Sequence, residues 1–338
     1  MKFHQRMLAV TAVAGALFGF GSAQAGTIIY NTGAAATASV ALGVNDDGSL
    51  NTSDGNIVVN SGATGLAYNF GTAGWRDATS PGCLCEGWGV QANGVNGGAS
   101  VENNGGAFNL TFGAATGVTG STVTTMSTLT SLSQVSIKHE FAPADAAPGA
   151  LFKVNVTITN TGDTALAGVR YVRAMDWDVP LTEFNEYVTI KGTGTTTLLE
   201  QSNDNGFCSV NPGDACSEIL AGTTNVDFTD AGPADHGAYF KFNFGDLAGG
   251  ESYSFTIFYG ATGTEREALA AIAAEGIELY SLGQSNGGEV SGSPATFIFG
   301  FKGVGGVPQG VPEPGSLLLA GAALAALGGL RRRAARRA

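Results

Sequence analysis

The chain has 338 residues, 52 of them glycine, with 13% charged residues and a formal charge of −12. Glycine runs at roughly twice ordinary usage and charge at about half, yet 43% of residues are hydrophobic, enough for a sizeable core. That excludes wholesale disorder, collagen and helical bundles, and so few Lys and Arg exclude a nucleic-acid partner.

The N-terminus has the three parts of a secretory signal peptide, assigned to residues 1–25. Lys2 and Arg6 are the basic region, residues 7–20 are uncharged and largely apolar, and Ala23-Gln24-Ala25 sets small residues where signal peptidase needs them. Cleavage is expected between Ala25 and Gly26.

Residues 26–303 are expected to form an all-β body, a large antiparallel β-sandwich with one short helix. Runs at 27–30, 57–60, 107–112, 132–141, 151–159, 169–175, 187–190, 238–244, 252–259 and 296–301 are rich in β-branched and aromatic residues, with Gly, Asn, Ser and Thr between them. The clearest, 151–159, alternates Phe152, Val154, Val156 and Ile158 with Lys153, Asn155, Thr157 and Thr159. The Ala/Pro-rich segment around residue 145 is either a sub-domain boundary or a crossover within one sandwich. Thr264 and Glu267 form a capping box, Leu269, Ile272 and Ala273 an apolar stripe, and Gly276 a stop, so one helix is expected there, covering a sheet edge or end.

Candidate chemistry is sparse. Asp46, Asp47 and Asp54 lie in acidic, Gly-containing loops that could hold Ca²⁺, but they lack the spacing and closing Glu of an EF-hand. No other cofactor is expected. Cys83, Cys85, Cys208 and Cys216 read as structural disulfides in an exported chain, either as two local bridges or as two long-range bridges between the loops. Zinc ligation would need C-x-x-C spacing, which they lack. His139 falls on the apolar face of its strand and His236 in a loop. No catalytic motif is present and no catalytic residue is assigned. Asp176-Trp177-Asp178, with Glu183 and Glu186, offers the paired carboxylates and apolar platform of a glycosidase. A strand end with solvated acids and a core Trp is the simpler account. Trp75 and Trp88 could stack on sugars or pack beneath the cysteine loop.

Residues 304–310 are expected to be a flexible linker. Beyond it come Pro312-Glu313-Pro314, an apolar stretch at 317–330, and Arg331, Arg332, Arg333, Arg336 and Arg337. A helix over residues 316–330 would be roughly 22 Å long, short against a ~30 Å hydrocarbon core, and the arginines would hold its end in the cytoplasm. This tail, 311–338, resembles the PEP-CTERM sorting signal of Gram-negative bacteria. The resemblance implies a precursor anchored through the C-terminal transmembrane helix and cut by an exosortase at or near the Pro-Glu-Pro triplet. The body would then pass to the envelope, the surface or the matrix, with signal peptidase and exosortase as partners and exopolysaccharide as a candidate third. It implies nothing about the activity of the body.

Removal of both ends would leave 27 of the 28 acids but nine of the 16 bases, a body at −18. The expected function is a non-enzymatic surface or matrix protein associated with exopolysaccharide or biofilm. The alternatives are a secreted carbohydrate-active enzyme and a glycan-binding module.

Overall fold

Three antiparallel sheets build the body in the computed structural model, which describes residues 25–54, 59, 62–287 and 295–310. The signal-peptide segment through Gln24, most of the 57–60 run, and the Pro-Glu-Pro, apolar and arginine elements of the tail lie outside these residues. The described residue of that run, Val59, sits in a bend. Among the described residues no helix is long and apolar enough to cross a membrane.

A four-stranded sheet comes first, in the order β1 (Gly26–Tyr30), β2 (Val40–Asn45), β3 (Leu66–Asn69) and β4 (Trp75–Asp77). The chain then forms β5 (Glu86–Ala92), β6 (Val95–Ser100), β7 (Leu110–Phe112), β8 (Val123–Leu129), β9 (Leu132–Pro143), β10 (Leu151–Asn160) and β11 (Leu166–Trp177). It continues through β12 (Glu186–Lys191), β13 (Leu199–Asn203), β14 (Phe228–Ala234), β15 (His236–Leu247) and β16 (Ser252–Thr262). The helix α1 (Glu265–Glu275), β17 (Leu279–Ser285) and β18 (Thr296–Lys302) complete it. One sheet has nine strands, β14-β12-β17-β18-β16-β10-β9-β8-β7, and another has five, β13-β15-β11-β5-β6.

The nine- and five-stranded sheets pack face to face, as a sandwich requires. Phe240 and Phe242 of β15 meet Phe301 of β18 at ring separations of 5.1 and 4.9 Å. Tyr171 of β11 meets Phe255 of β16 at 5.0 Å. The four-stranded sheet joins the same core through Val40, Leu42 and Val44, alternate residues of β2. The alternation read at 151–159 holds: Phe152, Val154, Val156 and Ile158 are fully buried in this core.

Three local readings are resolved, the first between the two alternatives at residue 145 and the other two by correction. The segment near residue 145 does not divide the body, because β9 and β10 are hydrogen-bonded neighbours, Phe152 opposite Pro143, and one core includes both. The Thr264 side chain caps α1 by accepting from the Glu267 N–H, and Gly276 closes it in the left-handed conformation. However, the helix lies on the outer face of the nine-stranded sheet rather than at an edge. Ala268, Ala271 and Ile272 pack on Phe258, Leu282 and Ile298, so its buried stripe is shifted from the Leu269–Ile272–Ala273 line.

The third concerns 304–310, which is docked rather than a free linker. The Glu278 carboxylate accepts from the N–H groups of Gly303, Val304 and Gly306 at 3.1, 3.0 and 2.9 Å. Gly303 and Gly305 take φ of +81° and +78°, which lets successive N–H groups converge on one anion. Gln309 donates from its backbone to Ile277 O and from its side chain to Glu278 O.

Candidate functional site

Two of the carboxylates read from the sequence, Asp176 and Asp178, converge with a third, Asp235, on the outer face of the five-stranded sheet. Along β11 the side chains alternate: Tyr171, Met175 and Trp177 enter the core between the sheets, and Val172 and Ala174 face outward. Asp176 and Asp178 continue the outward set. The β11–β15 register pairs Trp177 with His236, so the next residues along, Asp178 and Asp235, lie across from each other. Carboxylate oxygens of Asp176, Asp178 and Asp235 all fall within 4.8 Å of one another.

These acids are not the solvated strand-end groups expected. Asp176 is 1% exposed and Asp178 0%, while Asp235 is exposed and opens the cluster to solvent. Neither oxygen of Asp178, nor Oδ1 of Asp176, has a hydrogen-bond partner. The Cys83 sulfur lies 3.6 Å from Asp176 Oδ2, but as a disulfide sulfur it has no proton to donate. Glu186, buried at the start of β12, accepts from the N–H groups of His236 and Asn185. Glu183 is half-buried in the turn and is not one of the three converging carboxylates.

Burial raises the carboxyls of Asp176, Asp178, Glu186 and Asp235, and like charge adds to it at the first three. Burial, then the Asp235 charge, pushes Asp176 to about 8. Burial, then Asp176, Glu186, Asp235 and Asp77, pushes Asp178 to about 9. Burial pushes Glu186 to about 8 against the His236 N–H bond, and raises Asp235 against the neighbouring His236.

Trp177 is a core residue. Its Nε1 donates to Ser281 Oγ at 3.0 Å, and a Cβ on Gly283 would fall 2.7 Å from its ring. It presents no sugar platform. Trp88 is also fully buried, its Nε1 donating to Asp47 O, and Trp75 is half-buried against Tyr30.

The remaining residues read from the sequence make structural contacts. Cysteine pairing is local, Cys83 with Cys85 and Cys208 with Cys216. The second bridge packs with Val210 on Val172, Ala174 and Tyr239, holding its loop against the outer face of the sheet. Asp46 Oδ1 accepts from Ala115 N, Asp47 is buried with Oδ1 on the Ser49 N–H and hydroxyl, and Asp54 Oδ2 accepts from Gly26 N. Among the described residues the three are not one of the groups of carboxylates whose oxygens converge. His139 is buried, with Nε2 3.0 Å from Tyr171 Oη. His236 is not in a loop but opens β15, fully buried with Nδ1 3.0 Å from Asp204 Oδ2.

The family model for the PEP-CTERM protein-sorting motif matches residues 310–333, immediately after the docked segment. The chain is thus an exported protein processed by an exosortase, with a membrane-anchored precursor sorted to the cell surface. A search of the curated proteins found no match.

Proposed function

We propose that the mature body is a non-enzymatic protein of the surface or extracellular matrix of a Gram-negative bacterium, associated with exopolysaccharide in a biofilm. The observation that carries this reading is the sorting motif at residues 310–333, directly behind a folded, disulfide-bonded β body. Further support comes from the burial of Trp88 and Trp177, neither of which presents a stacking face to solvent. The body at −18 suits hydrated, cation-rich surroundings better than a polyanionic partner.

The test is fractionation of the tagged chain in matched strains with and without exosortase, followed by extraction of the exopolysaccharide. Tail-less protein in the matrix fraction of the first strain supports the proposal. Equal distribution in both strains contradicts it. A second reading, a carbohydrate-active enzyme, is favoured by the convergence of Asp176, Asp178 and Asp235 within 4.8 Å. It requires glycan hydrolysis that Asp178→Asn abolishes.

A further inference from the structure

We propose that Asp176, Asp178 and Asp235 form a binding site for one hard divalent cation, on the outer face of the five-stranded sheet and independent of the sorting tail. The donors are three carboxylates with oxygens mutually within 4.8 Å, an all-oxygen set of the kind that Ca²⁺, Mg²⁺ and Mn²⁺ prefer.

Acidic clusters are common without an ion, so the second observation is the deciding one. Asp178 is fully buried, and neither of its oxygens has a hydrogen-bond partner. Buried polar groups are almost always satisfied, and a buried carboxylate lacking both hydrogen bonds and a counter-charge is costly. No ion pair among the described residues includes Asp176 or Asp178. The strongest charges on Asp178 are other carboxylates, Asp176, Glu186, Asp235 and Asp77. A divalent cation supplies both the missing charge and the missing partners.

Backbone packs closely around the cluster. Gly206 and Gly237 lie so close to β11 that a Cβ on either would fall 2.5 or 2.8 Å from the Asp176 Cα. A Cβ on Gly82 would fall 3.5 Å from Asp178 Oδ1. Exposed Asp235 forms the entrance. Glu186 lies beside the site, with each oxygen already holding a backbone N–H.

The test uses the purified full chain, stripped with EDTA and titrated with CaCl₂, MgCl₂ or MnCl₂ by calorimetry and by thermal melting. One ion should bind per chain, and the melting temperature should rise with its concentration. Asp178→Asn and Asp235→Asn should each weaken binding by about tenfold or more, while Asp46→Asn binds like the parent chain. Asp235→Asn, at an exposed position, decides the matter if Asp178→Asn does not fold. Absence of saturable binding of all three ions up to about 10 mM would overturn the proposal, because extracellular calcium modules bind at ~10⁻⁴–10⁻³ M. So would binding that survives Asp235→Asn but is lost in Asp46→Asn.

Discussion

Glu86 and Arg173 form an ion pair inside the sandwich, Oε1 to Nε at 2.5 Å, with neither side chain exposed to solvent. The pair pins the loop between β2 and β3 to the five-stranded sheet, because Glu86 Oε2 accepts from Leu50 N and Arg173 Nη2 donates to Gly48 O. Tyr259 Oη donates to Glu86 Oε1 from the facing sheet, and the guanidinium carbon lies 5.5 Å from the Tyr259 ring centroid. Removing one partner strands a buried charge. Arg173→Met alone should therefore lower stability by about 3–5 kcal/mol in urea denaturation, and adding Glu86→Leu should recover much of the loss. Equal stability of Arg173→Met and the parent would contradict this role.

Cation-free stability should fall at alkaline pH. Burial and mutual repulsion hold Asp176, Asp178 and Glu186 at about 8, 9 and 8, against ordinary values of 3.8, 3.8 and 4.5. Between those limits the folded chain keeps protons that the unfolded chain has released, so stability declines as pH rises. His139 acts in the opposite sense at lower pH. Burial, then the Arg173 charge, holds it well below 6.5, so stability is lost as pH falls below that value. From about pH 7 to 9 the carboxylates act alone among these groups. Melting in EDTA should show a clear drop over that interval, smaller in Asp178→Asn. A flat or rising melting temperature would contradict the electrostatics of the cluster.

Glu278 should control the C-terminal segment of the body. With its three N–H contacts removed in Glu278→Ala, residues 303–306 lose their common acceptor. Amide exchange of Gly303, Val304 and Gly306 should accelerate, with exchange of Val154 and Val156 in the core unchanged. Protection equal to that of the parent chain would show that this carboxylate does not hold the segment.

The Cys208–Cys216 bridge closes a short loop over the outer face of the five-stranded sheet. Replacing both cysteines by Ala should cost about 2–3 kcal/mol on the loop-entropy account. A loss well under about 1 kcal/mol would mean that packing of Val210 alone holds the loop.

How much was legible in the sequence depended on whether one face of a strand meets solvent. β10 has such a face and shows clean alternation. β2, β5 and β17 are buried almost throughout, and their Gly, Ala and Ser content blurs any apolar run, so periodicity passed over them. The α1 caps were readable because capping is local, whereas its buried face depended on Ala268 and Ala271 fitting close to Phe258 and Ile298. At the site, alternation placed Asp176 and Asp178 together. Asp235 joins them only through the β11–β15 register, a non-local fact, and the burial of all this charge comes from loops near Gly82 and Gly206.

Gly26 begins β1, pairs with Asn45, and donates its N–H to Asp54 Oδ2 at 3.1 Å. A chain cut before Gly26 keeps its whole first strand and gains an ammonium beside that carboxylate. At the other end, order extends through Gln309 to the edge of the sorting motif at residue 310. The most direct test is therefore the intact mass, with terminal sequencing, of the protein recovered from the surface of exosortase-bearing cells. Processing predicts an N-terminus at Gly26 and a C-terminus at or near Pro312-Glu313-Pro314, without the apolar stretch and the arginines. Surface protein that still carries Arg331 to Arg333 would contradict the account.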